Sequence, residues 1–144
     1  MRIAYLLVAH NNPQLLQRKI RILSGENCRF FIHIDQKSDL SQFSQIAGSN
    51  VEFSESRLAV HWGGFAIVEA TLSLLRQALY SRSAFDYCVL LSGSDYPLRS
   101  SKYIHSFFRE NKGAEFINIV KIPALEGGIP LSRVNRVWFD DSKP

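Results

Sequence analysis

Residues capable of chemistry fall in four short clusters: His10-Asn11-Asn12, His33-Ile34-Asp35-Gln36-Lys37-Ser38, His61-Trp62-Gly63-Gly64 and Ser92-Gly93-Ser94-Asp95-Tyr96-Pro97. The carboxylates of Asp35 and Asp95 can each accept hydrogen bonds from several hydroxyls at once, which is what orienting a sugar or a ribose requires. Trp62 stands beside two glycines that let backbone approach closely, and its indole offers a flat apolar face to a sugar or a base. Taken singly, each cluster is also what a turn with a capping side chain looks like. Trp62 alone equally fits a core aromatic beneath the following helix, and Glu69 reads as a solvated charge.

Several kinds of chemistry lack their signatures. No GxGxxG follows the first apolar run and no GxxxxGK[ST] occurs, so a dinucleotide oxidoreductase or a P-loop NTPase would have no phosphate cradle. The histidines His10, His33, His61 and His105 form no HxH or HExxH pair, and no Asp-x-Asp is present, so no metal site is expected. Ser92-Gly93-Ser94 resembles half of a nucleophile elbow, but the GxSxG pattern of a serine hydrolase is not met. Asp35 keeps a nucleoside in play, because a carboxylate ending the second strand of a doubly wound fold commonly accepts from a ribose.

The elements that would position these clusters follow from the apolar pattern. Ile3–Ala9 is continuously apolar, as a strand buried on both faces of a parallel sheet reads. Asn12-Pro13 is an N-cap with proline in the first turn, Leu16, Ile20 and Leu23 recur at helical spacing, and Gly25 stops that helix. Residues 29–34 make a second strand, so the opening unit is strand, helix, strand with a right-handed crossover. Residues 39–47 suggest a short helix and Val51–Phe53 a short strand. Residues 65–80 form a long helix with Val68, Leu72, Leu75 and Leu79 as its apolar face; Glu69, Ser73, Arg76 and Gln77 make the wet one. Residues 85–91 are expected to be another buried strand, 100–111 a helix with Ile104, Phe107 and Phe108 facing inward, and 115–119 a last strand. From 121 to 144 no period persists and prolines, glycines, Arg133, Arg136, Trp138, Asp140 and Asp141 accumulate, which reads as loop. The expectation is an α/β doubly wound domain over 1–120 followed by a loop-rich segment, with ligands bound outside the carboxyl ends of the strands.

Composition is consistent with a folded domain. The chain has 144 residues, 46% of them hydrophobic and 21% charged, without repeats or low-complexity tracts. Its longest apolar run is far shorter than the ~20 residues of a membrane helix, so no transmembrane segment is expected. Cys28 and Cys88 are sixty positions apart inside apolar runs, which builds neither a disulfide framework nor a CxxC zinc site. A cytoplasmic protein, peripheral to a membrane at most, is therefore expected. The net charge of +4 is spread along the chain and suits an anionic small molecule as well as nucleic acid.

Three segments together, VHWGGFAIVEATLSLL at 60–75, FDYCVLLSGSDYPLRS at 85–100 and IHIDQKSD at 32–39, resemble the core-2/I-branching β-1,6-N-acetylglucosaminyltransferases and protein O-xylosyltransferases, glycosyltransferase family 14. The resemblance runs from Arg2 to about Asn111. It implies a Rossmann-like sheet of GT-A type, mostly parallel and flanked by helices, cut short at its C-terminal side. It also implies an inverting transfer of a sugar of the N-acetylglucosamine or xylose class from a UDP-sugar donor to a glycan or glycolipid acceptor, as in polysaccharide biosynthesis. Neither a metal nor any other cofactor is implied, and members of the family are membrane-associated. Carried over by position, Ala9 would lie against the uracil, where xylosyltransferases have valine. Asp35 would meet the nucleoside, Val60, His61 and Trp62 would line the donor pocket, and Asp95 and Tyr96 would reach the sugar or diphosphate, with Asp95 as the catalytic candidate. The family's carboxylate base and diphosphate-neutralising basic residues fall beyond this sequence. Two alternatives stay open: a chain that binds a nucleotide sugar or glycan without turnover, and a nucleic-acid module built on Arg133, Arg136 and Trp138, although nucleic acid is not the expected partner.

Overall fold

The computed structural model describes residues 1–61 and 63–118; Trp62, the end of the strand expected at 115–119, and the loop-rich segment 121–144 lie outside the described residues. The elements alternate as β1 (Ile3–Ala9), α1 (Pro13–Leu23), β2 (Cys28–Ile34), a 3-10 turn (Leu40–Phe43), β3 (Val51–Phe53), α2 (Ala66–Tyr80), β4 (Tyr87–Ser92) and α3 (Ser101–Glu110). The strands form one four-stranded sheet in the order β3-β2-β1-β4. Every pairing is parallel, with Ala9 opposite Ile34 and Val8 opposite Ser92, so the loops leaving β1, β2 and β4 emerge side by side.

Local chemistry explains these boundaries. Asn12 takes φ 52°, a left-handed conformation that asparagine tolerates, and its side chain accepts from the Leu15 N–H while Pro13 begins α1. Asp39 accepts from the Ser41 N–H to start the 3-10 turn, where a helix over 39–47 was expected. The turn goes no further than Phe43 because Phe43 and Ile46 drop into the core. Ser100 caps α3 by accepting from the Tyr103 N–H.

The sheet is covered unequally. Against α1 and α3, the side chains of Ile3, Tyr5, Leu7, Phe30, Ile32 and Ile34 join Leu16, Ile20 and Leu23 in one core, with Val89, Leu91, Ile104 and Phe108 packed on its margin. On the other face α2 lies over β1 and β2, and a smaller cluster forms from Ala4, Leu6, Phe31, Leu74 and Ala78.

Three expectations need correction here. The buried stripe of α2 is Ala70, Leu74 and Ala78, not Val68, Leu72, Leu75 and Leu79; Val68, Leu72 and Leu79 are exposed and Leu75 half-buried. Small residues let the helix lie close to the sheet, so size decided against the larger apolar stripe on the opposite side. Among the described residues β4 is an edge strand, on which Tyr87, Val89 and Leu91 are half-covered while Cys88 and Leu90 face outward, so it is not buried on both faces. Residues 115–118 form no strand. The ring of Phe116 instead joins Tyr87, Phe107 and Phe108, at centroid distances of 5.3 Å from Phe107 and 5.5 Å from Phe108.

Candidate functional site

A cleft of about 600 Å³ opens at the carboxyl ends of the strands, within the range of small-molecule sites. Its walls come from the end of β1 (Val8, Ala9, His10), the loop after β2 (Asp35, Lys37, Ser38), the segment before α2 (Val60, His61, Gly63) and the turn after β4 (Ser92, Gly93, Ser94), with Ile67 of α2. Parallel pairing brings these segments together, because each strand delivers its loop to the same edge.

The turn after β4 is seated closely on β1. Gly93 lies directly on β1, its N–H donating to the Val8 carbonyl at 2.7 Å. A Cβ at position 93 would stand 2.9 Å from the Ala9 Cβ, closer than real contacts allow, so only glycine lets the turn lie this close to β1.

The β2 side is stitched by polar groups. Asp35 is 5% exposed; its N–H donates to the Ala9 carbonyl at 2.8 Å and its Oδ1 accepts from the Lys37 N–H at 2.9 Å. The Lys37 Nζ lies 3.7 Å from Asp35 Oδ2 and donates to the Val60 carbonyl. The Arg57 guanidinium donates to the carbonyls of Ile34, Asp35, Gln36 and Ser38, closing the loop around one cation. His33, fully buried, accepts the Leu58 N–H on Nε2 at 2.9 Å, so its ring is neutral with the proton on Nδ1. Burial pushes the His33 pKa below the usual histidine range, with the nearby Asp35 charge pulling the other way.

The β4 side is built differently. Asp95 turns its carboxylate back on its own turn, Oδ2 accepting the Ser92 N–H at 2.7 Å. Lys19, wholly buried on α1, donates to the carbonyls of Ser92 at 2.5 Å and Gly93 at 3.0 Å. Burial lowers its pKa and the charge of Asp95 partly restores it. Behind this turn lies a second, apolar cavity of about 370 Å³ between α1, β4 and α3. Tyr5 forms part of its wall; the phenol has no hydrogen-bond partner among the described residues and is pushed up to about 12, chiefly by burial.

The structure therefore brings Ala9, Asp35, Val60 and His61 together in one cleft. Asp95 and Tyr96 line the apolar cavity on the far side of the β4 turn, and Trp62 lies outside the described residues. No group of three or more histidine, cysteine, aspartate or glutamate side chains converges on a point among the described residues. No helix among them is long and apolar enough to cross a membrane. Sequence reasoning missed Lys19 and Arg57. For Lys19 a signal existed, since it sits between Leu16 and Leu23 on the apolar stripe of α1; Arg57, in an irregular segment, carried none.

The chain is 30% identical to human xylosyltransferase 2 over 123 residues, which is 81% of this chain and 14% of that protein. It is 28% identical to human xylosyltransferase 1 over 123 residues, covering 81% of this chain and 13% of that one. The chain thus spans about one seventh of the length of the curated relatives it matches. The family profile described as Core-2/I-Branching enzyme matches residues 3–128, nearly the whole sequence, and on that match the chain belongs to the core-2/I-branching enzyme family.

Proposed function

We propose that this chain forms the donor-nucleotide side of an inverting glycosyltransferase that moves a sugar of the N-acetylglucosamine or xylose class from a UDP-sugar to a hydroxyl of a glycan or glycoconjugate. The observation that carries the reading is the buried Asp35 in a strand-end cleft that Ala9 and Gly93 also line, in a chain of this family. In this reading the uracil lies against Ala9, Asp35 Oδ2 accepts from the nucleoside, and Lys37 offers positive charge at the same rim. Val60 and His61 line the donor side, with Trp62 next to them in sequence. Asp95 and Tyr96 stand across the β4 turn from this cleft, so in this reading the sugar end of the donor extends past the turn to meet the Asp95 oxygen that the Ser92 N–H leaves open, beside Tyr96. Charge on the leaving diphosphate is met by protein donors rather than by a metal, and the UDP-sugar is substrate, so no cofactor is required.

An inverting transfer also needs a base within about 3 Å of the acceptor hydroxyl. Asp35 is the one carboxylate lining the cleft among the described residues, and it is engaged. This favours a second reading, in which the 144-residue chain by itself binds a nucleotide sugar without turnover. Calorimetry with UDP tests what both readings share. Asp35→Ala should weaken UDP binding more than tenfold, the loss of a charge-assisted hydrogen bond of about 1.5–3 kcal/mol. Unchanged affinity would make Asp35 a turn residue.

A further inference from the structure

We propose that Lys19 is a positioning residue for the nucleotide-sugar site: from the back of the sheet it holds the Ser92–Gly93 carbonyls and so fixes the turn that walls the donor cleft. The proposal rests on the reading that this cleft binds a nucleotide sugar.

A lysine on the apolar stripe of α1 is costly, since its ammonium is taken wholly out of water. If only volume were needed between Leu16, Ile20 and Leu23, methionine would fill it without that cost. What the ammonium adds is a pair of fixed bonds, 2.5 Å to the Ser92 carbonyl and 3.0 Å to the Gly93 carbonyl. These carbonyls stand where the β1–β4 ladder ends at Val8 and Ser92, and beyond it one bond, Gly93 N–H to the Val8 carbonyl, still ties the backbone to β1. The turn is then held from three directions. Lys19 takes its carbonyls, the Val8 carbonyl takes the Gly93 N–H, and the Asp95 carboxylate takes the Ser92 N–H.

The same turn is the partition between two spaces. Ser92, Gly93 and Ser94 face the strand-end cleft, whereas Lys19 and Asp95 line the apolar cavity behind it. Lys19 therefore acts on the donor through the turn. Because a Cβ at Gly93 would already collide with Ala9, the turn sits at the limit of its approach to β1. Letting its carbonyls go allows it to lift from that seat and to deform the cleft wall that Ser92, Gly93 and Ser94 form.

The experiment compares Lys19→Met with Leu16→Ala. Leu16 is buried on the same helix, so its truncation destabilises the fold without removing a bond to the turn. UDP affinity is measured by calorimetry at a temperature where both variants are folded. The proposal expects Lys19→Met to weaken UDP binding at least about tenfold and Leu16→Ala to leave it within about twofold of wild type. Equal affinities in the two variants would overturn it. Should Lys19→Met not fold, the wild-type side-chain ammonium resonance of Lys19 is followed during UDP titration. It should shift with the binding curve, and a resonance unmoved at saturation would overturn the proposal. If the wild-type chain binds no UDP, the nucleotide-sugar reading fails by itself. Lys19 is then judged by amide exchange at Gly93 and Asp95: faster exchange in Lys19→Met than in Leu16→Ala supports it, and equal rates refute it.

Discussion

Asp35 and Asp95 each follow a parallel strand, and each holds a backbone N–H of its own turn, Asp35 that of Lys37 and Asp95 that of Ser92. Their surroundings nevertheless diverge. Asp35 lies in the strand-end cleft, in a loop closed by Arg57 from the segment after β3, by its own Lys37 and by the neutral His33 of β2. Asp95 lies across its turn from that cleft, facing an apolar cavity, and the turn is held by one buried lysine reaching through the core. Ending a strand brings a residue to the functional edge, but the hydrogen bonds of the turn decide which way the carboxylate looks.

The largest effect that would sharpen this contrast is expected at Asp95 in a longer form of the protein that performs transfer. Asp95→Asn keeps an oxygen for the Ser92 N–H and removes the charge. Turnover should fall at least about a hundredfold, the scale of losing a positioned orienting or catalytic group, while the melting temperature barely moves. Near-normal turnover would reduce Asp95 to a turn cap and leave Asp35 as the working carboxylate of the pair.

A smaller effect separates the two rims by pH. The His33 pKa is 6.5 in its ordinary state and lowered in the fold, mainly by burial, so the unfolded chain takes up the proton first. Stability should therefore decline as pH falls through 6.5 towards the lower folded pKa, and level off below it. Melting temperatures of wild type and His33→Gln, compared between mildly basic and acidic buffer, check this. The variant can still accept the Leu58 N–H and should show a shallower slope; identical slopes would mean that the imidazole does not govern the β2 rim.

The smallest effect is expected from chelation. On the proposed reading, in which protein donors meet the diphosphate, transfer by the longer form should persist in excess EDTA; activity lost in EDTA and restored by manganese would contradict it.

The fold was legible wherever a single physical cause dominated. β1 is buried on both faces and reads as an unbroken apolar run, and Asn12-Pro13 states the start of α1 chemically. α2 misled because it is apolar on two sides, and only tertiary contact tells that the small residues Ala70 and Ala78 face the sheet. β4 misled because composition does not reveal that a strand lies at an edge. Among the candidate site residues, Ala9, Asp35, Val60 and His61 were brought together as the strand-end rule requires. The direction of the Asp95 carboxylate and the supports from Lys19 and Arg57 depend on three-dimensional backbone acceptors, which no local pattern encodes.

The most direct test of the account is to titrate the isotopically labelled chain with UDP and follow its backbone amides. Binding in the strand-end cleft predicts saturable shifts concentrated at Ala9, His10, Asp35–Ser38 and Gly93–Ser94, with the α3 amides of Tyr103 and Phe107 on the apolar cavity unmoved. Shifts centred on that cavity instead, or none at saturating UDP, would contradict it.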